Sequence, residues 1–356
     1  MTKAQSLRLL YEAHDFPIFQ NRMYPTPAEA RACAKGDIRL VEDLETGLVY
    51  NVAFRPELMQ YDVHYQNEQA VSPSFHAHLE EVAEIVESTL GRTRIVEVGC
   101  GKAYFLEMLL AKGFDVTGFD PTYEGDNPRV VKQYFRRDHG IQANGLVLRH
   151  VLEHVQDPVG FLMALKEANG GGGKIYIEVP SFDWICDHRA WFDVFYEHVN
   201  YFRLSDFRRM FGNIDEGGYL FGEQYLCVVA DLATLHVPVF DPTDLVDFPT
   251  DFTRSLIARS QIPEQREAAI WGGASKGVIF ALLRERIGSP VPVVIDVNPA
   301  KQEKYLPGTG LRVQSPAEAL SILPPGATIF VMNSNYLAEI KHMSKNAYCY
   351  IDVDHD

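Results

Sequence analysis

The sequence contains few cysteines, and they follow none of the spacings that hold zinc or a disulfide framework. Five cysteines are scattered among 356 residues without a Cys-x-x-Cys pair. Disulfides belong to oxidising compartments and zinc ribbons need paired cysteines, so this pattern predicts reduced thiols, a cytoplasmic location and no metal.

The sequence also lacks an excess of basic residues and any long apolar run. Lys and Arg number 33 against 48 Asp and Glu, which gives a formal net charge of −15. A protein that binds duplex nucleic acid normally presents a basic face, so nucleic acid is not an expected partner. No apolar run approaches the ~18 residues of a membrane span, and no signal peptide is visible, so we expect no membrane association.

The strongest positive signal is a strand that runs into a Gly-x-Gly turn. Residues 95–101 read Ile-Val-Glu-Val-Gly-Cys-Gly, a helix is predicted over 103–111, and the next strand, 115–119, is followed by an acid. This order is typical of the nucleotide-binding half of a Rossmann-like sheet, where glycines admit the ligand and the acid accepts ribose hydroxyls. The predicted nucleotide contacts are Glu97, Gly99, Cys100, Gly101, Asp120, Pro121, Arg149 and His150.

The same turn lacks the third glycine expected for NAD, because Ala103 occupies that position. Glu97 lies inside the first strand, just before the turn, and Asp120 follows it 23 residues later. These two features favour S-adenosylmethionine over NAD as the cofactor.

Strands and helices alternate in two separate stretches of the chain. One stretch follows an amphipathic helix at 75–90, and the other begins after about residue 250 with its own turn, 272–277, and its own acid, Asp296. Alternation of this kind predicts an α/β fold with mostly parallel sheets. We predict three parts: an N-terminal segment (1–74), a Rossmann-like cofactor domain (75–236) and a smaller Rossmann-like domain (237–356).

Residues 195–202 combine aromatic, acidic, basic and amide side chains in Phe-Tyr-Glu-His-Val-Asn-Tyr-Phe. Such a cluster favours a pocket in which His198 acts as a general base beside Glu197. Donors to a developing oxyanion are expected from Tyr196, Asn200 or His150. Further substrate contacts are predicted at the end of a strand (Ser181), in an aromatic loop (Tyr61, Tyr65) and in the second glycine-rich turn (Lys276).

Two motifs leave alternatives open. His150 and His154 are four residues apart and would share a helix face, but no third metal ligand is evident, so a metal site is disfavoured. Gly272-Gly-Ala-Ser-Lys-Gly277 lacks P-loop spacing. It either binds phosphate at a helix N-terminus or serves packing alone.

Taken together, several motifs resemble the class I S-adenosylmethionine-dependent methyltransferases, and more narrowly the sugar C-methyltransferases that act on nucleotide-linked keto-sugars. The motifs that carry the resemblance are Glu97-Val-Gly-Cys-Gly, Arg149-His-Val-Leu-Glu-His with Asp157-Pro158, Glu178-Val-Pro180 and Glu197-His-Val-Asn200. Those that resemble the family's extra C-terminal domain are Gly272-Gly-Ala-Ser-Lys-Gly277, Asp296-x-Asn298-Pro-x-Lys301, Tyr305-Leu-Pro-Gly308 and Asn333.

The resemblance implies methyl transfer from S-adenosylmethionine to a small, polar acceptor, at carbon or at oxygen. It fails at the family's N-terminal zinc module, where Asp43 and Thr46 occupy the positions of the second cysteine pair. We therefore predict an N-terminal segment that folds without zinc. The competing hypotheses are an NAD(P)-dependent oxidoreductase that uses the second glycine-rich turn, and a non-catalytic binding protein.

Overall fold

The computed structural model describes residues 6–59, 72–258 and 267–354. The strands are β1 Leu7–Pro17, β2 Lys35–Asp43, β3 Val49–Asn51, β4 Ile95–Val98, β5 Val116–Phe119, β6 Val130–Val131, β7 Gly145–Arg149, β8 Lys174–Pro180, β9 Asn200–Tyr201, β10 Ile214–Leu220, β11 Tyr225–Asp231, β12 Ala268–Trp271, β13 Val293–Ile295, β14 Val313–Gln314, β15 Thr328–Val331 and β16 Cys349–Asp352. The helices are α1 Pro27–Arg31, α2 Pro73–Leu90, α3 Tyr104–Ala111, α4 Pro158–Ala168, α5 Phe182–Asp187, α6 Leu204–Met210, α7 Arg254–Ala258, α8 Ser275–Arg286, α9 Pro316–Ile322 and α10 Leu337–Met343.

The described strands form three sheets. The first has the order β1-β2-β3-β9, the second β10-β11-β8-β7-β4-β5-β6, and the third β14-β13-β12-β15-β16. In the second sheet, the neighbouring strands β8, β7, β4, β5 and β6 are parallel to one another, and β11 is antiparallel to both β8 and β10. The third sheet is parallel throughout. The predicted α/β fold with two Rossmann-like units is confirmed.

Helix α2 shows why the sequence folds as it does beside the first glycine-rich turn. The Ser72 hydroxyl accepts a hydrogen bond from the Phe75 N–H at 3.4 Å, and Pro73 occupies the first turn, where a missing N–H costs nothing. Gly91 ends the helix with a positive φ of 79°. The apolar residues at helical spacing face the sheet and are buried: Leu79, Val82, Ala83, Val86 and Leu90.

The N-terminal sheet is completed by a strand from the middle of the chain. The pairs Val49–Tyr201 and Tyr50–Asn200 join β3 to β9, and the Asn51 N–H donates to the Val199 carbonyl at 2.7 Å. The segment that carries His198 is thus held by an N-terminal strand. At the positions of the family's second cysteine pair, the Thr46 hydroxyl donates to the Asp43 carboxylate at 3.0 Å.

The third sheet contacts the second through a buried polar network. The Gln224 side chain exchanges hydrogen bonds with the Asn333 amide at 2.7 and 3.1 Å and donates to the Asp354 carboxylate at 3.0 Å. Since these groups are nearly or wholly buried and satisfy one another, they fix the two units in one arrangement. Within the described ranges, no helix is long and apolar enough to cross a membrane.

Candidate active site

A cavity of about 370 Å³ lies between the two glycine-rich turns. Residues from the first turn, from the 195–202 segment and from the second turn all line it. The predicted site residues that it brings together are Glu97, Gly99, Cys100, Gly101, Arg149, His150, Glu197, His198 and Lys276. Tyr61 and Tyr65 lie outside the described residues.

The first turn has the shape of a ligand cradle. Gly99 and Gly101 have φ values of 77° and 54°, in the left-handed region that disfavours side chains. A Cβ atom at Gly101 would meet nothing within 4 Å in the described part of the chain, so a ligand can approach the backbone there. Ala103 also adopts a positive φ, 63°, although it carries a side chain. The position at which an NAD-binding turn has its third glycine therefore adopts a left-handed conformation in this chain as well, although alanine occupies it.

Asp120 supports this cradle from the next strand. Its carboxylate accepts hydrogen bonds from the Gly101 N–H at 2.8 Å and from the Thr122 N–H and hydroxyl at 2.8 and 2.7 Å. Asp120 is buried and lies behind the turn, and neither it nor Pro121 is among the described residues that line the cavity. Thr122 occupies both lone pairs of one oxygen, and the oxygen bound to Gly101 has a second lone pair with which to accept a hydrogen bond from a ligand.

Glu97 is a buried acid that lines the cavity. Burial raises the pKa of its carboxyl to about 7; Arg149 opposes this rise and Asp120 adds to it. Its Oε2 atom has no hydrogen-bond partner among the described residues. A buried carboxylate without a partner is costly, and a cationic ligand group would compensate for that cost.

Glu178, at the carboxyl end of β8, is fully buried and binds three basic side chains. One of its oxygens lies 3.0 Å from Arg149, 3.0 Å from His150 and 3.2 Å from His78, and the other accepts from the Tyr176 hydroxyl at 2.7 Å. Burial alone would raise the pKa of Glu178, but Arg149 and the two histidines hold it well below its usual range.

For His150, burial opposes protonation, but Glu153 and Glu178 outweigh it and raise the pKa to about 9. His150 is therefore an imidazolium at neutral pH.

His198 faces the cavity as a neutral imidazole. Burial lowers its pKa well below the usual range, and the neighbouring groups His154, His150 and Lys276 lower it further. The Phe195 ring centroid lies 4.0 Å from that of His198. The Glu197 carboxylate accepts the Gln20 N–H at 2.8 Å.

Three residues predicted to contact the substrate are not among the described residues that line this cavity. The Tyr196 side chain is fully buried, and its hydroxyl accepts the Arg55 N–H at 2.8 Å. The Asn200 amide donates to a backbone carbonyl, Val155, at 2.6 Å. Ser181 caps helix α5 by accepting the Trp184 N–H at 3.2 Å. Each of these side chains is occupied in holding the backbone around the site.

The second glycine-rich turn repeats the construction of the first. The Gly273 N–H donates to the Asp296 carboxylate at 2.9 Å, as Gly101 does to Asp120. The Lys276 ammonium lines the cavity, but it lies 3.1 Å from Asp193, donates to Gln224 at 2.8 Å and lies over the Trp184 ring.

Comparison with known protein families gives one match to part of this chain. Residues 63–215, less than half of the chain, match the model of a methyltransferase domain family. This match supports a methyltransferase domain in that part of the chain. A search of curated proteins gave no match.

Solved structures of methyltransferases resemble part of this chain at low identity. The 1,6-didemethyltoxoflavin N1-methyltransferase of Burkholderia thailandensis is 14% identical, with a TM-score of 0.33 over 44% of this chain and 78% of its own. An S-adenosylmethionine-dependent methyltransferase of Archaeoglobus fulgidus is 17% identical, with a TM-score of 0.33 over 43% of this chain and 94% of its own. Similarity at this level carries no information about the acceptor.

The cofactor of the methyltransferase domain is S-adenosylmethionine, as the sequence predicts, and the residues present fit it. The open space at Gly101 admits a ligand to the backbone of the turn. The unpartnered Oε2 of Glu97 is suited to a cationic cofactor, which S-adenosylmethionine is. Asp120 retains acceptor capacity for ribose hydroxyls behind the same turn.

Proposed function

We propose that this protein methylates a carbon next to the carbonyl group of a small polar acceptor, and that the acceptor class is a nucleotide-linked keto-sugar. The observation that carries the proposal is that the cofactor turn and His198 line one cavity. A proton acceptor beside a methyl-donor site is the arrangement that alkylation of an activated carbon requires.

In this mechanism S-adenosylmethionine supplies an electrophilic methyl group when bound. His198, neutral at pH 7, takes the α-proton of the acceptor, and the C–H electron pair passes into an enolate. The His150 imidazolium, which lines the same cavity, stabilises the developing oxyanion through its positive charge. The enolate carbon would form the new C–C bond with that methyl group as the methyl–sulfur bond breaks, and S-adenosylhomocysteine would leave with the sulfur electron pair. The buried carboxylate of Glu197 offsets the positive charge that His198 acquires.

An NAD(P)-dependent oxidoreductase is the second candidate function. The observation that favours it is the hydrogen bond between Gly273 and Asp296, which reproduces the turn-to-acid geometry of a nucleotide site. Lys276, placed beside this turn, would then face a phosphate rather than a sugar.

Titration calorimetry with S-adenosylhomocysteine and, separately, with NADH distinguishes the two functions. We expect S-adenosylhomocysteine to bind, and Asp120→Ala to weaken it by roughly 10–100-fold, because a charged hydrogen bond to ribose contributes about 1.5–3 kcal/mol. The matched control is Asp296→Ala, the equivalent acid of the second turn, which should leave this affinity unchanged. Binding of NADH alone, lost in Asp296→Ala, would contradict methyl transfer.

The affinity for S-adenosylhomocysteine should rise with pH. Because the pKa of Glu97 is about 7 in the free protein, its carboxyl is largely protonated at pH 6 and ionised at pH 8. The cationic ammonium of the ligand favours the ionised form, so the dissociation constant should fall about tenfold from pH 6 to pH 8. Calorimetry across this range tests the prediction. Glu97→Gln should remove the dependence, and an equal slope in that variant would assign it to another group.

A further inference from the structure

Glu153, His154 and His198 form a cluster that the proposed reaction uses only in part. Their ligand atoms, one from each side chain, all lie within 4.8 Å of one another. All three residues line the cavity. The two imidazole rings have centroids 5.0 Å apart and are nearly perpendicular, at 75°. Two nitrogen donors and one carboxylate therefore converge on a point at the cavity wall.

The carboxylate of this cluster has an ion-pair neighbour but makes no hydrogen bond within the described part of the chain. Glu153 is 1% exposed, and neither of its oxygens has a hydrogen-bond partner among the described residues. The Nδ1 atom of His150 lies 3.3 Å from one of these two oxygens, so the charged group beside this carboxylate is the His150 imidazolium. A buried carboxylate without hydrogen bonds normally signals a missing ligand, because the desolvation of the charge is otherwise uncompensated.

His154 is held in the tautomer that a metal requires. Its Nδ1 atom lies 2.8 Å from the backbone carbonyl of Glu197. A carbonyl oxygen can only accept, so Nδ1 carries a hydrogen, and in the neutral ring Nε2 then presents its lone pair. Histidines that ligate metals typically donate their other N–H to a carbonyl or carboxylate in this way.

The backbone that carries the three side chains is fixed in advance. The Val199 N–H donates to the Glu153 carbonyl at 2.8 Å, and the Asn200 amide donates to the Val155 carbonyl at 2.6 Å. These bonds tie the 152–154 turn directly to the segment that carries His198. A site held by its own backbone needs little rearrangement to bind an ion.

We propose that Glu153, His154 and His198 bind one divalent transition-metal ion. Two imidazoles and one carboxylate are a donor set for Zn²⁺, Fe²⁺ or Co²⁺ rather than for Mg²⁺ or Ca²⁺, which prefer oxygen ligands. Three protein ligands leave a coordination position open toward the cavity, as in sites that exchange small ligands. The sequence could not reveal this set, because His198 is distant in the chain from the other two.

Metal binding and proton abstraction compete for the same side chain. An ion bound by His198 takes the lone pair with which that residue would accept the α-proton. The metal-bound protein is consequently inactive in base catalysis, and a chelator restores its activity. The neighbouring cations His150 and Lys276 oppose the ion, while Glu153 and Glu197 favour it.

Cobalt titration of chelator-stripped, tag-free protein tests the site, with visible absorption as the signal. We expect one equivalent of Co²⁺ to give the absorption of a four- or five-coordinate ion, and Zn²⁺ to displace it. His154→Ala, Glu153→Gln and His198→Ala should each weaken binding by more than the roughly 10–100-fold that loss of a residue supporting a ligand costs. The exposed His236 gives a matched control, His236→Ala, that should bind cobalt normally.

Titration of the same variants with S-adenosylhomocysteine reports whether each one is folded. Unchanged cobalt absorption in folded His154→Ala and Glu153→Gln proteins would overturn the proposal, as would the spectrum of hydrated cobalt alone in the unaltered protein. Neither outcome bears on methyl transfer, which is measured separately by cofactor binding and turnover.

Discussion

Replacing His198 with alanine should lower turnover by roughly 10²–10⁴-fold, the contribution of a positioned general base. The side chain is buried beside the Phe195 ring and faces the cavity, so bulk water cannot easily take over its role. Turnover is measured as formation of S-adenosylhomocysteine with a panel of nucleotide-linked keto-sugars. The affinity for S-adenosylhomocysteine should stay the same, because His198 is separate from the cofactor turn.

A second readout separates the removal of a proton from structural support. An enzyme with a base at His198 should exchange the α-proton of the acceptor for solvent deuterium without any methyl donor, and His198→Ala should not. The matched control, His236→Ala, alters an exposed histidine and should retain both activities. Near-normal turnover in His198→Ala would remove this residue from the role of base.

Replacing Glu178 with glutamine should lower the free energy of unfolding by about 3–5 kcal/mol, the cost of breaking a buried ion pair from one side. The substitution keeps the shape of the side chain but removes the charge that Arg149, His150 and His78 share. The buried Arg149 guanidinium would then lose the counter-charge that lies 3.0 Å from it. Urea unfolding at pH 7, followed by circular dichroism, gives the difference directly.

An exposed ion pair supplies the comparison. Glu87 lies 2.7 Å from Arg92, and both side chains are nearly half exposed, so Glu87→Gln should cost less than about 1 kcal/mol. The stability of the unaltered protein should also decline as pH rises. The pKa of His150 is raised from 6.5 to about 9, so its contribution is complete below 6.5 and is lost as the pH passes 9. A Glu178→Gln protein as stable as Glu87→Gln would show that the cluster does not hold the fold.

Local signals in the sequence predicted the first glycine-rich turn and the end of helix α2. The glycines at 99 and 101 stand where the backbone needs a positive φ, and Gly91 ends α2 where the apolar spacing stops. These features depend on neighbours in the chain, so a pattern can reveal them. Ala103, which departs from the glycine pattern, also adopts the positive φ of this turn.

The other half of the site depends on contacts between distant residues. His78 reaches Glu178 from a helix 100 positions earlier, and no periodicity indicates that meeting. Tyr196 follows Phe195 directly, yet it packs on Phe54 while Phe195 lines the cavity. Adjacent residues in a turn point in different directions. The aromatic cluster in the sequence therefore does not predict which side chains are buried in the core and which line the cavity.

Because β9 pairs with β3, the N-terminal segment and the cofactor domain cannot be exchanged independently of each other at the boundaries that the sequence motifs suggest. A fragment that starts after the N-terminal segment would keep the cofactor turn and lose the strand that aligns the 195–200 segment. Exchange of the N-terminal segment with that of a related enzyme would shift the proposed base together with the substrate side of the cleft. Evolution of a new acceptor specificity in this architecture is therefore constrained to alter recognition and chemistry in the same step.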